Sequence, residues 1–189
     1  MAAIPLTDDQ RGKLVDLVDG IMDFDEDPDV KDIFNGSENW DWVKNATEVM
    51  CFSQALEGLT EIGAFGEVDR VHKISGRYTL GDAFDLDVFE QNPDKIIVKH
   101  AMNSQFPHTA TLVDKQYMSR LWSWPASMTD DIIEVYQRGF SYIAERISQG
   151  GYCDIEHMLY KFLPKNHILE VARTGVSGNI GPNGMRIDD

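Results

Sequence analysis

Apolar residues along this chain recur mainly at helical spacing. Leu14, Leu17, Val18 and Ile21 fall at i, i+3, i+4 and i+7, one face of a helix. Thr7 with Gln10 three residues on supplies a capping box ahead of them. A second stripe, Val49, Phe52, Leu56 and Leu59, predicts a helix starting at Thr47. Asp114 precedes Tyr117, Met118, Leu121 and Trp122, which read as a third helix ended by Pro125. The strongest stripe is Ile132, Tyr136, Phe140, Ile143 and Ile147, with Thr129 as cap and Asp130 and Asp131 complementing the dipole. Asp154 caps another helix carrying Ile155, Met158, Leu159 and Phe162, stopped before Pro164.

The middle of the chain departs from this pattern. Residues 67–75 fit either a helix stopped by Gly76 or an irregular strand, and Asp82 reads as the cap of a short helix holding Phe84, Val88 and Phe89. Ile96-Ile97-Val98 and residues 109–113 are β-branched runs joined by a loop with Pro107, which predicts a small β-hairpin. The expected fold class is mostly α: one compact helical domain over residues 1–174, a small hairpin, and an extended arm over 175–189. In that arm Gly175, Gly178, Gly181 and Gly184 recur every third residue. Four triplets with one proline are too few for a collagen helix. They suit an extended chain that orders against a neighbouring subunit.

Charge changes the picture more than composition does. The 189 residues carry a net charge of −15, and residues 1–60 hold 14 acidic against 4 basic side chains. Segment 16–41 is the acidic centre, with ten acidic residues and one basic. Such a balance excludes direct binding to a phosphate backbone and to an anionic membrane surface. No apolar run reaches membrane-spanning length, no basic and apolar leader opens the chain, and Cys51 and Cys153 form no disulfide framework. The expected setting is cytoplasmic, or virus-associated through assembly inside a cell.

Candidate chemistry is fragmentary. Asp23, Asp25, Asp27 and Asp29 match positions 1, 3, 5 and 7 of an EF-hand loop, but Pro28 replaces the turn glycine and Phe34 the closing glutamate. A weak Ca²⁺ site is therefore disfavoured against a solvated acidic loop, and no cofactor is expected. Cys153 and His157 share a helix face and permit a thiolate–imidazole pair. His100, His108 and the Asp82, Asp85, Asp87 cluster complete the donors of a small metal-dependent enzyme, the alternative reading. No nucleophile elbow, P-loop or dinucleotide fingerprint occurs.

The favoured reading is a non-catalytic interaction protein. Asp23, Asp25, Asp27, Asp29 and Asp32, bordered by Trp40 and Trp42, would steer and anchor a basic protein partner. One variant is a nucleic-acid-mimicking inhibitor. Another is self-association as an oligomer subunit, such as a viral particle component, through the glycine-rich arm.

Overall fold

The structure, a computed structural model, describes residues 7–180 and 184–189. Thr7 and Gln10 close the expected capping box on α1 (Asp8–Val15). That helix ends before Leu17 because none of its residues is buried, and a short helix without a packed face has little to sustain it. The acidic segment is not a plain loop. The Asp27 carboxylate accepts from the Asp29 and Val30 N–H groups, capping α2 (Pro28–Gly36). Pro28 is thus a favourable first helical residue, with no calcium loop around it. The next helix, α3 (Trp40–Glu61), begins at Trp40 rather than near Thr47. Asn39 caps it, and the Thr47 hydroxyl donates back to the Val43 carbonyl inside the helix.

The centre of the chain is where the mostly α expectation fails. It contains β1 (Arg70–Ile74), β2 (Tyr78–Leu80), α4 (Leu86–Glu90), β3 (Ile96–Lys99), β4 (Met102–Asn103), α5 (His108–Thr111), β5 (Lys115–Gln116) and β6 (Leu121–Pro125). Asp85, not Asp82, caps α4. Residues 109–113 supply most of α5, so the expected hairpin is absent, and β3 instead lies between β6 and β7. The chain continues through α6 (Thr129–Ser148), α7 (Ile155–Phe162), β7 (Ile168–Val171), β8 (Val176–Ile180) and β9 (Met185–Asp188). Of the described residues about 46% are helix and 19% strand, the strands forming three small sheets, which makes the protein α+β.

The largest sheet has the order β1-β6-β3-β7, antiparallel except for the parallel β3–β7 pair. Helices α3, α6 and α7 pack on it. Val49 and Leu56, Ile132, Tyr136 and Ile143, and Met158 and Leu159 meet Ile96, Val98, Trp122 and Trp124 in one core. The two tryptophans lie 4.6 Å apart between ring centroids. Every residue of β6 is buried, so the strand lacks the alternation that would reveal it.

The extended-arm expectation is also corrected. β8 pairs antiparallel with both β2 and β9. The Gly175 N–H donates to the Asp189 carbonyl, and the buried Asp189 carboxylate takes ion pairs from Lys99 and from Arg120, the latter at 3.2 Å. Close packing explains two of the spaced glycines. Gly175 has φ +83°, and a Cβ there would lie 2.2 Å from Phe84 Cα; a Cβ at Gly178 would strike the Arg77 carbonyl and Tyr78. Gly181 lies outside the described residues.

Candidate functional site

The acidic residues singled out from the sequence divide by what they do. Asp23 pairs with Arg11 and accepts from the Asp25 N–H at 3.0 Å. Asp27 is committed to the α2 cap. Asp29 and Asp32 point outward from α2 and make no ion pair among the described residues. The tryptophans divide as well. Trp42 is half-buried, its ring 5.6 Å from Phe140. Trp40 is 50% exposed. It packs edge-on against exposed Phe34, with ring centroids 6.2 Å apart. Phe34, unnoticed in the sequence except as a misfit in the calcium pattern, completes this surface. Exposed Asp32, Glu38 and Asp41 border the aromatic pair along the chain. Earlier in the chain α1 buries no side chain, and Leu17 just beyond it is 78% exposed.

The residues of the enzyme reading do not converge. Asp85 is the α4 cap. His108 pairs with exposed Asp114 at 2.7 Å. The His100 N–H bonds the Val171 carbonyl beside the large sheet. Among the described residues no three His, Cys, Asp or Glu side chains gather as a metal-binding group. Burial and the neighbouring Asp154 push the buried Cys153 thiol up to about 12, so it is not a thiolate near neutral pH. The thiolate–imidazole pair is therefore corrected: His157 turns to other partners. Compared with protein families and with curated proteins, the chain matches none.

Those partners form a relay. Asp154 caps α7 by accepting from the His157 N–H at 3.0 Å, and the same oxygen lies 2.6 Å from His157 Nδ1. The capped turn therefore folds the imidazole back onto the carboxylate. His157 Nε2 lies 2.8 Å from Ser104 Oγ, in the loop after β4. His157 is fully buried. Burial raises the Asp154 carboxyl, but the bonds and charge of His157, with the Tyr152 hydroxyl at 3.2 Å, outweigh it and hold the carboxyl below its ordinary range. Phe106 and Tyr152 stack at 4.1 Å and border the imidazole.

A separate polar cluster lies beside a mostly apolar cavity next to α3. Lys73 donates to Ser75 Oγ at 2.7 Å and to the Ser119 carbonyl at 2.8 Å. Ser119 Oγ donates to Glu156 at 2.6 Å. Burial and Asp154 raise the Glu156 carboxyl, which the Ser119 bond partly offsets. Lys73, with Met22, Phe24 and Phe52, lines a cavity of about 340 Å³.

Proposed function

We propose that this protein binds a basic partner protein through its N-terminal acidic and aromatic surface. The carrying observation is the exposed Phe34–Trp40 pair standing inside the most acidic part of the chain. Half of a tryptophan is on the order of 100 Å² of apolar surface, and covering it contributes roughly 3 kcal/mol at most. Asp29, Asp32, Glu38 and Asp41 around it favour Lys and Arg on the opposing surface and repel a second copy of the same face. Within the chain β8 is paired on both sides, by β2 and β9, which favours the acidic surface over self-association through an extended arm at residues 175–189. No helix among the described residues is long and apolar enough to cross a membrane. The free thiols of Cys51 and Cys153 support a reducing, cytoplasmic setting.

The test uses a defined probe, an amphipathic helical peptide of lysine and leucine, titrated while tryptophan emission is followed. Binding should quench or blue-shift the emission. Trp40→Ala should weaken binding by at least about tenfold, as an interface anchor does. Trp42→Ala, which removes a half-buried ring packed on Phe140, should change affinity less. Equal binding of an anionic peptide of the same pattern, or no effect of Trp40→Ala, would contradict the proposal.

A further inference from the structure

We propose that Ser104, His157 and Asp154 form a nucleophilic relay able to take an acyl or phosphonyl group onto Ser104. The inference is independent of the partner surface and rests on three side chains from two segments of the chain. Asp154 Oδ1 lies 2.6 Å from His157 Nδ1, and His157 Nε2 lies 2.8 Å from Ser104 Oγ. A carboxylate at Nδ1 places the ring proton there and leaves Nε2 as an acceptor; the Ser104 hydroxyl also lies 2.8 Å from the Phe106 carbonyl, so its one proton must turn from that carbonyl to Nε2 for attack. Capping alone needs only the bond between Asp154 and the His157 N–H; it does not require the imidazole to fold back, nor a hydroxyl at its far nitrogen. Ser104 is half-buried and His157 is fully buried.

The surroundings define the substrate class. The Phe106 N–H donates to Ser104 Oγ at 3.0 Å, and the Gln105 N–H reaches Gln116 Oε1 only at 3.4 Å. Both are backbone donors of the loop that carries Ser104. Stacked Phe106 and Tyr152 make the wall apolar, and Phe106, 39% exposed, is the part of the cover that meets solvent. The site fits esters of small apolar acyl groups rather than anionic ones, given the charge of the chain. In the step, Ser104 Oγ bonds to the carbonyl carbon and its proton passes to Nε2. The carbon–oxygen bond to the leaving group breaks and the alcohol departs with that proton. Water then cleaves the acyl-serine to the free acid and restores the hydroxyl.

The test treats the full chain with a small dialkyl fluorophosphonate and reads intact mass and the labelled peptide. The Oγ–P bond forms, the P–F bond breaks and fluoride leaves. An adduct on Ser104, absent in Ser104→Ala, is expected. Phe106→Ala should label at least about tenfold faster by uncovering the oxygen. Asp154→Asn keeps a cap oxygen and the fold, checked by circular dichroism, yet should label at least about 100-fold more slowly through loss of the charge that supports the imidazolium. An adduct on Ser104 only in Phe106→Ala also supports the relay and identifies Phe106 as its cover. No adduct on Ser104 in either folded protein, or labelling that Asp154→Asn leaves unchanged, would overturn the proposal.

Discussion

Removing the Asp154 carboxylate should destabilise the fold by about 3 kcal/mol, because the group serves two buried donors at once. Asp154→Ala removes the α7 cap, a loss of about 1 kcal/mol. It also strands His157 Nδ1, whose side chain is fully buried, and an unmade bond there costs about 1–3 kcal/mol. For a chain of this size the sum lowers the melting temperature by roughly 6–12 °C. Asp154→Asn, which retains a cap oxygen but no charge, should lose only about 1–2 kcal/mol. The carboxyl is held below its ordinary range in the fold. Its contribution is therefore present above the ordinary aspartate pKa near 3.9 and disappears as pH falls through the lower folded value. Urea unfolding of both variants and wild type at pH 7 and near pH 3 measures all of this. A loss under about 1 kcal/mol for Asp154→Ala at pH 7 would refute the double role.

Three further outcomes follow from burial and geometry. Trp122→Ala should cost about 3–5 kcal/mol, whereas Trp40→Ala should change stability by less than about 1 kcal/mol, and the same urea assay separates the two. Gly175→Ala should lower stability by more than about 2 kcal/mol, since it demands positive φ and overlaps the Phe84 backbone; thermal melting reads it. Glu156, pushed up chiefly by burial, binds its proton more tightly in the fold than in the unfolded chain. Wild-type stability should accordingly fall as pH rises above about 4.3, and Glu156→Gln should remove that fall, which a pH series of melts detects.

Legibility in the sequence tracked how local each signal was. The α1 capping box, the α6 stripe and the Asp154 cap involve neighbours within a few residues, and the chain reads correctly there. β6 failed because a strand buried on both faces shows no alternation, and Tyr117, Met118, Leu121 and Trp122 happen to imitate a helix face. The glycine period in 175–184 reflected close packing at Gly175 and Gly178, which no spacing rule distinguishes from an open arm. Of the acidic run, Asp29 and Asp32 remain outward while Asp27 is a cap that Pro28 announces. Trp40 carried its exposure no more visibly than Trp122 carried its burial. Asp154 and His157 lie three apart and could be paired by inspection, but Ser104 joins them across 53 residues, a contact only the fold makes.

The central claim is an acidic and aromatic contact surface, and the salt dependence of binding tests it most directly. The affinity of the lysine–leucine peptide should be followed by tryptophan emission from about 0.1 to 1 M salt, where the screening length falls from roughly 10 to 3 Å. The account predicts at least about tenfold weaker binding at high salt, with a residual affinity that Trp40→Ala abolishes. An affinity unchanged across that range would contradict it.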